Sequence, residues 1–311
     1  MTLTPQHQKI RANRITGSRA AAILGMSKFA GPIDVYRELV ENKKTETSGP
    51  DVDRGNHLES GLRSWYADIT GLVVHKSTPR VHPKHTMIAA AADGLAGPTA
   101  NAWDRVLEIK SPRRGDDWGD SGSQDFPEYY LPQVALEMSC YDLNRCDLAA
   151  LVYGELRVYP VARNLDLEMH ILKACEAFWT NHVVARVPPP VDGTASYANH
   201  LAEVFPISTE RQLLADNEAE HWAGVLINAR KGIEDAEQVE EMAKNKLKAL
   251  MCDASTMIGN GWSASWKNVS ARKTVDWRAY AASLGGTEKD AEQFCKQGTA
   301  GRRFLLTTKK G

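Results

Sequence analysis

The 311-residue sequence has no apolar run approaching the roughly 18–20 residues that span a bilayer, so no membrane-crossing helix is expected. Met1 to Arg14 is polar and basic and lacks the apolar segment of a secretory signal. The five cysteines, Cys140, Cys146, Cys175, Cys252 and Cys295, are odd in number and form no Cys-x-x-Cys pair. They fit neither a disulfide frame nor a zinc or iron–sulfur site, and reduced thiols in a cytoplasm are expected. No two histidines stand four residues apart, and His57, His75, His82 and His85 read as surface or packing residues. There is no internal repeat. Basic excess is also missing: the formal net charge is −1. That counts mildly against a nucleic-acid partner, but an acidic outer surface can conceal a local basic channel. Arg11, Arg14 and Arg19, then Lys110, Arg113 and Arg114, form two such basic clusters.

The composition, 42% apolar and 25% charged, is that of an ordinary globular chain. Ser18 is a good N-cap for a short helix over 18–24 that Gly25 ends. Pro32 opens a second helix over 32–41, with Ile33, Tyr36, Leu39 and Val40 at helical spacing. Residues 42–53, with Gly49-Pro50, read as a loop. A third helix over 55–69 carries a stripe of Leu58, Leu62, Trp65, Tyr66 and Ile69, and Gly71 closes it. The pattern then switches to strands over 72–75, 80–82, 87–92 and 103–110. Residues 113–127, rich in Gly, Asp and Ser, read as a mobile loop. A helix over 127–140 turns Leu131, Val134, Ala135 and Met138 inward, and a hairpin over 146–161 turns at Gly154. A further helix covers 165–185. The run Val187-Pro188-Pro189-Pro190 marks the linker, which places a core domain over 1–190 and an extension over 191–311. In the extension, 209–257 predicts one long helix or a pair bent near Gly232, with Thr209 and Gln212 at capping-box spacing. Lys244, Lys246 and Lys248 read as its solvated face. Trp262, Trp266, Val269, Val275 and the run Arg302 to Leu306 are expected in short strands.

The chemistry concentrates in Leu107-Glu108-Ile109-Lys110, downstream of Asp93-Gly94. Side chains alternate along a strand, so Glu108 and Lys110 share one face while Leu107 and Ile109 enter a core. A second carboxylate arriving from Asp93 completes a set that suits a divalent metal. Mg²⁺ takes about six oxygen ligands and keeps several waters. Two carboxylates and the Ile109 carbonyl would hold it and leave positions for phosphate and water. Lys110 is then placed to orient or deprotonate the water. Taken alone, a Glu-x-Lys pair on a strand is more readily a solvated ion pair.

Read together, Arg11, Ile15-Thr16-Gly17-Ser18, Gly55-Asn56-His57-Leu58-Glu59, Asp93-Gly94, Glu108-Ile109-Lys110 and Tyr130 with Gln133 resemble the PD-(D/E)xK nucleases. Within them they are most similar to the phage YqaJ-type recombinases, relatives of lambda exonuclease. The resemblance covers roughly residues 10–190. It departs in one place: Ala92 stands where the family has a proline before the first acid. The resemblance implies an α/β, restriction-endonuclease-like core: a mixed central sheet flanked by helices, with a helical and β-hairpin C-terminal extension. It implies that Glu59 is a further acid near the metals, acting directly or through water. Gln133, which shares a helix face with Tyr129 and Glu137, would contact the attacking water or a phosphate. In lambda exonuclease an arginine seven residues before the serine corresponding to Ser18 helps clasp the 5′-phosphate of a DNA end. Arg11 holds that position, with Ser18 and Arg19 beside it and Arg14, Arg113 and Arg114 as weaker backbone contacts.

The expected activity is therefore a Mg²⁺-dependent 5′-to-3′ exonuclease on linear double-stranded DNA. Mn²⁺ should substitute, with one or two ions per site. The products would be 5′-mononucleotides and a 3′ single strand for recombination. The resemblance further implies a phage or prophage protein in a bacterial cytoplasm, a homotrimeric ring around DNA, and a single-strand-annealing protein as partner. Two alternatives stand beside it: a structure-specific endonuclease of the same fold, and a DNA-end-binding protein without catalysis.

Overall fold

The computed structural model describes residues 10, 12–43, 49–296 and 302–306. Small side chains shape the first helix, α1 (Gly17–Ile23), which buries Gly17, Ala20, Ala21 and Ala22. Its N-cap is Thr16 rather than Ser18, which lies inside the first turn. Gly25 leaves the helix at φ 68°, a left-handed conformation natural to glycine. Helix α2 (Pro32–Val40) starts on a proline, and Asp34 turns back to accept the Gly31 N–H at 2.8 Å. Helix α3 (Pro50–Thr70) begins five residues before the expected start at 55. Pro50 occupies its first turn, where a missing N–H costs nothing, and Asp51 and Asp53 favour the positive end of the helix. Its buried stripe is narrower than predicted. Leu62 and Tyr66 are buried, but Trp65 and Ile69 face outward. Leu62 and Tyr66 pack on Ala96, Leu107, Ile109 and Ala149, with Leu58, Val74, Leu151, Leu156 and Val158 at the margin of the same cluster.

The strands are β1 (Val73–His75), β2 (Arg80–Val81), β3 (Ala89–Ala90), β4 (Gly94–Gly97) and β5 (Arg105–Lys110). After a 3-10 turn (Glu128–Tyr130) come α4 (Leu131–Tyr141), β6 (Arg145–Val152) and β7 (Glu155–Ala162). Five of the strands form one sheet in the order β1-β4-β5-β6-β7, and β2 pairs with β3 separately. Every neighbour in the large sheet is antiparallel except β5 and β6. A parallel pair needs a crossover, and α4 supplies it. The core is therefore α/β with a mixed sheet. Leu107 and Ile109 of β5 pack on α3, while Val106 belongs to the opposite cluster with α1, α2 and α4.

Strand β4 is absent from the expected elements. Two glycines in its four residues hide the strand pattern, yet they are needed for close packing. A Cβ on Gly97 would lie 1.9 Å from the Ala102 carbonyl oxygen. Residues 113–127 also differ from the expected mobile loop. Trp118 and Phe126 are buried beside Tyr159. The Gly122 N–H donates to the Val158 carbonyl at 2.8 Å and the Gly119 N–H to Asp125 at 2.7 Å. The glycines there permit tight turns; they do not loosen the segment.

Helix α5 (Leu165–Phe178) is capped by Asn164, whose side chain accepts the Asp166 and Leu167 N–H groups. A π turn (Trp179–Val184) extends it. After the proline run, α6 (Ala195–Val204) packs back: Tyr197 is buried and its hydroxyl donates to the Pro189 carbonyl at 3.2 Å. The first compact unit thus ends at Val204, beyond the boundary expected at 190.

The second unit, Phe205–Gly311, contains α7 (Asn217–Met251), a single helix that runs through Gly232 without a break. It starts at the N-cap Asp216, not at Thr209, because the Asp216 carboxylate accepts the Ala219 N–H at 2.8 Å. Strands β8 (Thr256–Gly259) and β9 (Trp262–Ser265) form a hairpin that turns at Gly261, φ 79°. The strands expected at Val269, Val275 and 302–306 are not formed. Instead α8 (Trp277–Ser283) and α9 (Glu288–Ala291) follow. No helix among the described residues is long and apolar enough to cross a membrane.

A buried polar contact ties α3 to the sheet. The Tyr66 hydroxyl donates to Asp147 at 2.5 Å, and Arg105 meets the same carboxylate oxygen at 3.2 Å. Tyr66→Phe leaves Asp147 to Arg105 alone. It is expected to cost about 1–3 kcal/mol, read as a lower denaturant midpoint. An unchanged midpoint would show that the contact adds nothing.

Candidate active site

Strand β5 presents Glu108 and Lys110 on the face covered by α4. Glu108 is only 3% exposed. Asp93, just before β4, brings its carboxylate across to accept the Ile109 N–H at 2.8 Å. The N–H and C=O of one strand residue point to the same edge, so the Ile109 carbonyl shares that edge with Asp93. The β4–β5 pairing begins only at Gly94 and Leu107, which leaves this edge free of a further strand.

Helix α4 lowers Gln133 onto the pair. Its amide nitrogen donates to Glu108 Oε1 at 2.5 Å and to Glu137 Oε1 at 2.9 Å. Its amide oxygen accepts from Lys110 Nζ at 3.1 Å. The flipped amide would set its oxygen against two carboxylates, so the network selects one orientation. Lys110 Nζ also donates to Glu108 Oε1 at 2.5 Å and lies 4.8 Å from the centre of the Tyr130 ring. Gly17 makes room for Gln133: a Cβ there would come within 2.7 Å of the glutamine Cγ.

Glu59 reaches the site in company. Arg63, one turn later on α3, bonds Glu59 with one nitrogen and donates to the Asp93 carbonyl at 3.0 Å with another. Glu59 is thus close enough to be felt at Asp93, but its carboxylate is ion-paired. The sequence reading missed Arg63 and the role of Glu137. Both lie four residues beyond a nominated residue, the spacing that shares a helix face, and that was the available signal.

The electrostatics are unbalanced. Burial, then the neighbouring Glu108, push the Asp93 carboxyl well above the usual carboxylate range, against the pull of Lys110 and the Ile109 N–H. Burial and Glu108 likewise raise Glu137, which is 2% exposed. Its second oxygen, Oε2, is buried without a hydrogen-bond partner. For Lys110 burial works downward, but Glu108 and Asp93 overcome it and raise the amine. The site therefore holds more acid than cation. Among the described residues no three His, Cys, Asp or Glu side chains converge as a metal cluster. The donor set that fits a divalent ion is Asp93, Glu108 and the Ile109 carbonyl, all hard oxygens, completed by water.

Of the remaining nominated residues Ser18 lies beside the cluster, and the arginines that the structure describes are dispersed. Ser18, with Thr16, Gly17, Gln133 and Glu137, lines a cavity of about 30 Å³, large enough to admit water. Arg11 lies outside the described residues. Arg19 is turned to Glu38, at 2.8 Å, and to the Arg14 carbonyl. Arg14 is bonded to the Thr86 carbonyl at 2.9 Å. Arg113 and Arg114 are exposed on the segment after β5. His82 is buried and contacts Ser139 at 3.0 Å, as a packing residue.

The raised carboxyls have a consequence for stability. Unperturbed Asp and Glu ionise near 3.8 and 4.5. The folded state holds these protons more tightly than the unfolded chain, so stability falls as pH rises from those values through the raised folded ones. With divalent ions chelated, the thermal midpoint should drop across that window. Glu137→Gln, which removes a buried charge, should flatten the drop. An identical slope in the variant would mean that Glu137 is not protonated in the fold.

No curated protein matches the chain. Among solved structures it is similar to an alkaline exonuclease from Laribacter hongkongensis: 21% identity, TM-score 0.48, over 65% of this chain and 100% of that one. The same enzyme in complex with dAMP matches at 20% identity and TM-score 0.48, over 66% of this chain and 100% of that one. A phage-related exonuclease from Haemophilus somnus matches at 12% identity and TM-score 0.42, over 58% and 99%. Residues 6–144, which contain every member of the cluster described above, match the family model of the YqaJ-like viral recombinase domain.

Proposed function

We propose that the chain is a Mg²⁺-dependent exonuclease that digests one strand of linear duplex DNA from its 5′ end. It would release 5′-mononucleotides and leave a 3′ single strand for recombination. The observation that carries this reading is the buried cluster of Asp93, Glu108, Lys110 and Gln133, whose carboxylates lack a full countercharge. The match to a YqaJ-like viral recombinase domain supports it.

Asp93, Glu108 and the Ile109 carbonyl would hold the ion, with Glu59 behind them on Arg63. When bound, a divalent ion lowers the pKa of water and offsets charge developing on phosphate. Gln133 fixes the Glu108 carboxylate and the Lys110 amine relative to each other. Lys110 is protonated while both carboxylates are uncompensated, and then serves as a donor to phosphate oxygen. Lys110 would also orient the attacking water, its amine being fixed by Glu108 and Gln133. Arg11 and Ser18 would receive the terminal phosphate, which sets the 5′ polarity. A homotrimeric ring and an annealing partner complete the reading, with little sequence preference because backbone contacts carry no base readout.

With Mg²⁺, purified protein should release mononucleotides from a 5′-phosphorylated linear duplex, more slowly from a 5′-hydroxyl end, and leave covalently closed circles intact. Lys110→Ala should lose about 10²- to 10⁴-fold in rate while still binding DNA. Cut circles would point instead to an endonuclease. No release from any linear duplex would sink the nuclease reading.

A further inference from the structure

Aromatic rings lead outward from the reactive lysine. Tyr130 lies under Lys110 Nζ at 4.8 Å. The Tyr129 ring is 4.4 Å from Tyr130, centre to centre. Phe29 meets Tyr129 edge-on at 6.2 Å and 81°. Tyr130 and Tyr129 are partly buried, but Phe29 is 77% exposed. A large apolar side chain left in water forgoes the gain of burial. Single exposed apolar residues are common, so exposure alone decides nothing.

Two further observations separate Phe29 from that background. The first is that its loop is held. After α1, the Met26 and Ser27 N–H groups both donate to the Ala21 carbonyl, at 2.9 and 3.2 Å. Ser27 Oγ accepts the Phe29 N–H at 3.1 Å and the Ala30 N–H at 3.3 Å. The ring is therefore presented on a fixed backbone, which lowers the entropic cost of binding. The second is the character of the groove beside it. Met26, Lys28, Asp117, Pro127, Glu128 and Tyr129 line an open space of about 410 Å³. Lys28 lies 5.0 Å from the Tyr129 ring centre, and Asp117 neutralises it at 3.2 Å. With Glu128 also present, the groove carries no positive excess. It is unsuited to a phosphate and suited to a flat, uncharged ring.

We propose that Phe29 and Tyr129 form a stacking platform for a nucleobase of the DNA strand engaged at the Lys110–Glu108 site. This deepens the nuclease reading and rests on it. Every base offers a π face, and neither side chain reads base edges, so the platform would accept any sequence. It would hold the strand by a base while the site next to it acts on the backbone.

The test uses the Lys110→Ala protein, which should bind DNA without cutting it, and linear duplexes carrying 2-aminopurine at successive positions from the 5′ end. Stacking on an aromatic ring quenches this base. One position should be quenched on binding. Adding Phe29→Ala should abolish that quenching and weaken binding by about 5- to 150-fold, the range for loss of one base–aromatic stack. Phe29→Trp should preserve both. If Phe29→Ala leaves quenching and affinity unchanged on DNA that the parent protein binds, the platform is wrong, while the nuclease reading stands. If the wild-type protein releases no nucleotides and the Lys110→Ala protein binds no DNA, the nuclease reading fails and takes the platform with it.

Discussion

Three carboxylates, Asp93, Glu108 and Glu137, share a single ammonium, that of Lys110, in a space largely closed to water. Unpaired charge in a low-dielectric setting is expensive, and proteins relieve it by protonation, pairing or a bound cation. The site uses the first two already. Asp93 and Glu137 are pushed toward their neutral forms, and Glu108 pairs with Lys110. The third is what the proposed ion would supply, beside the Asp93 carboxylate that already bonds Ile109. Gln133 makes the arrangement definite. With its amide bonded to Glu108, Glu137 and Lys110 at once, a displacement of any one disturbs the others.

The fold supplies what this cluster requires. One parallel pair in an otherwise antiparallel sheet obliges the chain to cross over between β5 and β6, and α4 is that crossover. It therefore covers the very strand that carries Glu108 and Lys110. Gly17 lets α1 approach Gln133, and Gly97 lets β4 close against Ala102, so that Asp93 is delivered beside Ile109. On the other face α3 brings Arg63 to the Asp93 carbonyl and Glu59 behind it. Each functional side chain sits on a regular element or directly at its end, which suits a site that depends on fixed hydrogen bonds.

Much was legible along the chain. Pro32, Gly25, Gly71 and Gly154 punctuate it where elements begin and end, because φ preference and the missing proline N–H are properties of single residues. The α2 pattern and the β6–β7 hairpin follow from local periodicity. The Glu-x-Lys face of β5 follows from alternation. Other features stayed hidden. Strand β4 is too glycine-rich to show a strand pattern. Trp65 and Ile69 continue the α3 stripe in sequence, yet they lie outside the cluster that α3 forms with the sheet and face solvent. The segment 113–127 has a loop composition, and only its packing against β7 reveals it as ordered.

The sequence by itself determined which side chains share a face: Glu108 with Lys110, Glu59 with Arg63, Gln133 with Glu137. Those relations depend on helix and strand periods of a few residues, which the backbone imposes locally. Only the tertiary structure decided that the first and third of these pairs meet, that the second reaches the Asp93 carbonyl, that Glu137 is buried with an unpaired oxygen, and that Phe29 stands at the outer end of a row of rings from Lys110. Residues far apart in the chain are brought to hydrogen-bonding distance by strand register and by the crossover. Both are settled by the packing of the whole unit, and no local stretch of sequence encodes them.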